Sequence, residues 1–103
     1  MSDFVLRLYV TGQSQRSQRA IANIRTICAE ELGGQYELSV IDVLERPQLA
    51  EDEKILATPT LVRALPAPLR RVIGDLSETD KVLVGLDLAP TNRGEKDVQS
   101  QPE

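Results

Sequence analysis

The one thiol, Cys28, and the absence of histidine limit what chemistry this chain can perform. Without imidazole, the commonest metal ligand, the usual general base and the serine–histidine–aspartate arrangement are all missing. Cys28 follows Ile24 by one helical turn on an apolar stripe, the setting of a buried structural thiol rather than a reactive one. With a single cysteine no intrachain disulfide can form, which fits a reducing, cytoplasmic location. The carboxylates form no pair: Glu51-Asp52-Glu53 is a local run that suits a solvated helix face, and Asp42, Asp75 and Asp87 stand apart. Gly12, Gly33-Gly34, Gly74, Gly85 and Gly94 match neither a phosphate loop nor a dinucleotide fingerprint and read as turn residues. No catalytic residue, metal site or cofactor is expected.

Recognition is the remaining kind of chemistry. Arg63, Arg70 and Arg71 flank Pro66 and Pro68 without an interleaved aromatic residue. The formal net charge of -4 argues against general nucleic-acid binding, because neutralising phosphates needs a basic surface. Aromatics make up only 3% of the chain, and Phe4, Tyr9 and Tyr36 lie in strand-like runs, so base-stacking platforms are scarce. An acidic protein partner or a solvated loop accounts better for the arginines.

The elements that must carry these residues are plainest in the first half. Phe4 to Val10 reads as a strand, and 11–14 as the turn after it. Ala20, Ile21, Ile24, Ile27, Cys28 and Leu32 then recur at three- and four-residue steps, giving an amphipathic helix of roughly 17 residues that Gly33-Gly34 stops. Residues 36–43 form a second strand, completing a right-handed βαβ unit with parallel strands. Beyond it, Pro47, Pro59, Pro66 and Pro68 cut the chain into short pieces. Residues 49–56 read as a short helix, 60–65 as a strand or a helical turn, and Val72-Ile73 as an apolar pair before a Gly74-Asp75 turn. Ser77 to Asp80 offers a capping box. The run 82–88 fits both a helix and a strand, and Gly85 weakens either by a similar amount, about 1 kcal/mol in a helix. Residues 1–89 are expected to form a single domain and 90–103 a disordered polar tail. The start of the chain lacks the charged region and cleavage site of a signal peptide, and no stretch is long enough to span a membrane.

A βαβ unit followed by Thr58-Pro59-Thr60 and a closing ββα is similar to a thioredoxin-type domain, with Pro59 in its cis-proline loop. A redox cysteine would have to lie at the start of the first helix, where a helix N-terminus favours thiolate. That place holds residues 11–17, Thr-Gly-Gln-Ser-Gln-Arg-Ser, so a thiol-disulfide oxidoreductase lacks its own site.

More specific blocks stand at 40–44 (Val-Ile-Asp-Val-Leu), 47–51 (Pro-Gln-Leu-Ala-Glu), 54–61 (Lys-Ile-Leu-Ala-Thr-Pro-Thr-Leu), 70–77 (Arg-Arg-Val-Ile-Gly-Asp-Leu-Ser) and 81–88 (Lys-Val-Leu-Val-Gly-Leu-Asp-Leu). On these blocks the chain resembles the KaiB family of circadian clock proteins over residues 4–88. It departs from that pattern at 13–16, on the exposed side of the first helix and in the tail.

The resemblance implies an α/β protein with two arrangements. The N-terminal half is a thioredoxin-like βαβ unit. The C-terminal half adopts either the KaiB ground-state fold, in a resting homo-oligomer (tetramer or dimer), or a thioredoxin-like ββα fold in a monomer. The monomer would bind the KaiC ATPase hexamer and modulate its phosphorylation cycle, capturing KaiA and displacing the SasA-type kinase, with no enzyme activity and no cofactor. The alternative is a KaiB-like adaptor in stress or signalling outside a full clock. The resemblance points to Arg19, Pro47, Gln48, Glu51, Lys54, Arg63, Arg70 and Arg71 for partner binding. It points to Gly85 and Asp87 for the balance between folds, and the residues themselves add Pro59, Pro66 and Pro68, which lie in the half that local periodicity leaves ambiguous. An interconversion that required X–Pro isomerisation would be slow, on the order of tens to hundreds of seconds.

Overall fold

Leu6, Leu8 and Val10 alternate along the first strand, so all three side chains leave on one side and seed the core. The computed structural model describes residues 4–33 and 35–87. Its elements in order are β1 (Phe4–Val10), α1 (Gln15–Glu31), β2 (Tyr36–Asp42), α2 (Pro47–Asp52), β3 (Thr60–Leu65), β4 (Arg70–Ile73) and α3 (Thr79–Gly85). The strands form one mixed sheet in the order β2-β1-β3-β4. β1 and β2 are parallel, as the βαβ reading requires, while β3 runs antiparallel to both β1 and β4.

One face of the sheet is packed by α1 and α3. Ala20, Ile24, Ile27 and Cys28 from α1 meet Leu6, Leu8, Val10 and Leu61 from the sheet and Val82, Leu83 and Leu86 from the α3 region in a single cluster. Each such aliphatic side chain contributes roughly 1.5–3 kcal/mol when taken fully out of water. The α1 N-terminus is closed by Ser14, whose Oγ accepts from Ser17 N–H at 3.1 Å. Where a thioredoxin-type motif would place its cysteines, the buried Ser17 hydroxyl instead accepts from Thr11 N–H at 3.2 Å, and the Thr11 and Thr58 hydroxyls bond each other.

The sequence ambiguities resolve by burial. Residues 60–65 form a strand, because Leu61 completes the core and β3 fits between β1 and β4. The 82–88 run begins as a helix: Val82, Leu83 and Leu86 are inside while Val84 is 72% exposed, the helical and not the alternating pattern. Leu88 lies outside the described residues, as does the expected tail at 90–103.

Two local expectations are corrected. The helix read at 49–56 sits earlier, at Pro47–Asp52, since Pro47 opens it at the first turn and Lys54 takes a left-handed conformation (φ +56°) that ends it. The capping box at Ser77 does not form. Glu78 is the N-cap of α3 without a side-chain bond, and Ser77 N–H is already held by Asp75 Oδ1 at 3.1 Å in a tight Asx turn. Three proline peptides are cis: Thr58–Pro59, as expected of that loop, Leu65–Pro66 and Ala67–Pro68.

Candidate docking surface

The face of the sheet opposite α1 is covered differently. By strand alternation Arg7 and Tyr9 point away from Leu6 and Leu8, and register places Arg7 beside Val62 and Val62 beside Arg71. Tyr9 and Val62 are fully buried there. The neighbouring α2 is a helix of six residues, none of them fully buried, and it is Glu53 and Lys54, just past its end, that reach this face. Its outer surface shows Pro47, Gln48 and Glu51, with Gln48 Nε2 donating to Asp52 Oδ1 at 2.9 Å one turn on.

Charged groups meet where α2 ends. Arg7 Nη2 lies 3.4 Å from Glu53 Oε2, and Arg71 Nη1 donates to the Lys54 carbonyl at 3.2 Å. The second carboxylate oxygen of Glu53 is buried without a hydrogen-bond partner. Burial raises the Tyr9 hydroxyl pKa above its ordinary value, and the negative charge of Glu53 adds to this while Arg7 and Arg71 work against it.

The residues singled out for partner binding therefore fall into two groups. Pro47, Gln48, Glu51, Lys54 and Arg71 share the α2 face, all of them exposed. Arg19, Arg63 and Arg70 belong to the other. Arg19 is on α1 and reaches Asp75 Oδ2 at 3.4 Å; Asp75 is held below its ordinary pKa chiefly by the Ser77 hydrogen bonds. Arg70 is exposed on β4, and alternation turns it away from Arg71.

Arg63 is the clear departure from expectation. It is only 3% exposed, and inside the molecule its Nη2 donates to the Pro68 carbonyl at 2.8 Å and its Nη1 to the Asp87 carbonyl at 3.4 Å, while its Nε is buried without a partner. In this arrangement it joins the β3–β4 connection to the end of α3 and presents nothing to a partner. Glu53, read as part of a solvated helix face, is instead half-buried beyond the helix and paired with Arg7, and neither Arg7 nor Tyr9 was read as part of a site; a lone arginine between Leu6 and Leu8 was the signal that the second face of β1 carries charge.

Among the described residues no cluster of three or more histidine, cysteine, aspartate or glutamate side chains is placed to hold a metal, and no helix is long and apolar enough to cross a membrane. A depression of about 500 Å³ runs beside β2 between Ser39, Asp42, Arg46 and Leu49. Of its two carboxylates, that of Asp42 is engaged in the turns, since Asp42 Oδ1 accepts from Gly12 N–H at 3.1 Å and Leu44 N–H at 2.9 Å.

Residues 7–88 match the family model described as the KaiB domain. The chain belongs to the KaiB family. It is 63% identical over 90 residues to circadian clock protein KaiB3 of Synechocystis sp., covering 87% of this chain and 88% of that protein. With circadian clock oscillator protein KaiB1 of the same organism it shares 51% over 98 residues, 95% of this chain and 93% of that one. The identity places the chain among circadian clock proteins, and solved structures define its architecture. The N-terminal domain of SasA from Synechococcus elongatus superposes with a TM-score of 0.65 at 24% identity, over 100% of this chain and 90% of that one. Mitochondrial thioredoxin 3 from Saccharomyces cerevisiae gives 0.67 at 16% identity, over 84% and 79%. This KaiB-family chain thus has the thioredoxin-like fold, with the resemblance read from its sequence blocks now established as family membership.

Proposed function

We propose that this KaiB-family chain is a non-catalytic clock regulator that docks on a KaiC-type ATPase hexamer and modulates its phosphorylation cycle. In the same reading the docked form sequesters KaiA and competes with a SasA-type kinase. The thioredoxin-like arrangement is the binding form of a chain that rests as a homo-oligomer with its C-terminal half packed differently. Pro59, Pro66, Pro68, Gly85 and Asp87 lie in the half that would repack, and the cytoplasm is where the chain would act.

The observation that carries this reading is the α2 face. A six-residue helix with no buried side chain contributes little to the core, yet it is fastened to the sheet at Glu53 and Lys54 and shows Pro47, Gln48, Glu51 and Lys54 outward. A surface element that is held in place without filling the interior is suited to recognition. Mixed charge on it, with Arg70 and Arg71 at the adjoining sheet edge, suits a partner surface of alternating sign.

The test is co-elution with a KaiC-type ATPase hexamer after prolonged incubation with nucleotide. Binding is expected for the parent chain and is expected to be lost on charge reversal at Arg70 and Arg71. Retained binding by that variant would remove the arginines from the interface, and no association by the parent chain under any nucleotide condition would overturn the reading.

A further inference from the structure

We propose that Arg7 and Arg71 are positioning residues for α2: from two strands of the sheet they hold the C-terminal turn of this helix and thereby fix the surface that Pro47, Gln48 and Glu51 present. The inference rests on the docking role proposed for α2.

Left to itself, α2 would not hold. Isolated helices need about 12–15 residues to be even marginal in water, and this one has six. It buries no residue, and its N-cap, Arg46, makes no side-chain capping bond. Its first end is tied through backbone alone, Arg46 N–H donating to the Asp42 carbonyl at 2.9 Å, and the side-chain contacts with the sheet come at the other end. Glu53 N–H donates to the Leu49 carbonyl at 3.0 Å and Ile55 N–H to the Ala50 carbonyl at 2.9 Å, closing the last turn. At this turn Lys54 adopts φ +56°, a conformation that favours glycine, so the closed turn carries a steric cost that contacts from outside it can offset.

The sheet supplies that hold at two points. Arg7 on β1 takes the Glu53 carboxylate, and Arg71 on β4 takes the Lys54 carbonyl, the group that the left-handed turn exposes. Both arginines are in register with Val62 on β3, so they flank one fully buried side chain from the two neighbouring strands. Positive charge is also favoured at a helix C-terminus, where unpaired carbonyls carry partial negative charge. Arg71 thus acts on a partner through α2, in addition to whatever its exposed side offers. Arg7, half-buried and paired with Glu53, acts through it.

Hydrogen exchange and ring binding, measured on one set of variants, test this. The set is Arg7→Met, Arg7→Lys, Glu53→Gln and Arg71→Met, each studied as the monomer isolated by size exclusion. In Arg7→Met and Arg71→Met the amides of Glu53 and Ile55 are expected to exchange about tenfold faster, while those of Leu6 and Leu8 keep their protection. Arg7→Lys, which retains a charge for Glu53, is expected to recover most of the loss. Affinity for a KaiC-type ATPase hexamer is expected to fall in the same order as α2 protection. Unchanged exchange at Glu53 and Ile55 in both Arg7→Met and Glu53→Gln would overturn the proposal, as would a uniform rise along β1 and α2 together, which is what general destabilisation gives. If the parent chain binds no such hexamer, the docking role fails, and the exchange pattern still decides whether the arginines position α2.

Discussion

Gly85 in α3 lies so close to Val72 in β4 that a Cβ on the glycine would stand 2.6 Å from the Cγ2 methyl of the valine. Helix propensity alone favours alanine over glycine by about 1 kcal/mol, which is the reason to expect Gly85→Ala to favour the thioredoxin-like arrangement. The contact opposes that gain, because a β-branched side chain has few χ1 positions to retreat to. Gly85→Ala is therefore expected to bring no net stabilisation of this fold in the parent chain, and about 1 kcal/mol in a Val72→Ala background. Urea denaturation of the four proteins reads the difference, together with the monomer fraction by size exclusion. Equal increments in the two backgrounds would show that Val72 is no obstacle.

Arg63 is expected to act on stability before it acts on any partner. Arg63→Met keeps the bulk and removes the donors from the Pro68 and Asp87 carbonyls, at a cost of about 1–3 kcal/mol. Chemical denaturation measures it. The informative contrast is Arg70→Met, on the exposed side of β4, for which a change within about 0.5 kcal/mol is expected. Similar losses for the two would mean that Arg63 is not the internal tie described here.

Asp87 follows the C-cap of α3, with its N–H on the Val84 carbonyl at 3.1 Å and φ at +58°. A non-glycine residue in that region bears roughly 1–2 kcal/mol of steric cost. Glycine removes the cost but widens the unfolded ensemble, so Asp87→Gly is expected to stabilise α3 by about 0.5–1 kcal/mol. Asp87→Val, β-branched at a left-handed position, is expected to destabilise it. Thermal unfolding midpoints of the two should move in opposite directions; movement in the same direction would mean that backbone conformation is not what Asp87 contributes.

Cys28 sets an alkaline limit. Burial pushes its thiol up to about 11 from an ordinary value of 9.0. Below pH 9 the thiol is neutral in both folded and unfolded chains and contributes fully. Between pH 9 and 11 the unfolded chain loses the proton while the folded one keeps it, so stability falls with rising pH by up to about 3 kcal/mol. Cys28→Ala is expected to flatten this alkaline slope, at the expense of a small cavity. In the native protein, alkylation of Cys28 at neutral pH is expected to be limited by unfolding, and rapid labelling without unfolding would contradict its burial.

Much of the fold was legible from periodicity. β1, α1 and β2 fall where the stripes of apolar residues place them, because each buries one face against the same core and its side-chain period follows directly from its backbone geometry. The docking element was legible only in part. The acidic run marked a short helix but at 49–56, two residues late at its start, and its end depends on Lys54 turning left-handed, which lysine does not favour and which the Arg71 contact helps to hold. The run from Val82 onward was undecided for a different reason: either period buries apolar residues, and only the position of β4 and the core determines that Val84 faces outward.

The amino-acid sequence by itself determined the lack of histidine and of a second cysteine, the family, and the βαβ half, since residue types, block spacing and local periodicity need no partner elements to be read. Tertiary structure alone decided the use of each arginine. Arg7, Arg63, Arg70 and Arg71 are alike in sequence, yet one holds Glu53, one is buried against two carbonyls, one stays exposed and one reaches Lys54. Strand alternation sends neighbours to opposite faces, and what covers each face is contributed by segments remote in the chain.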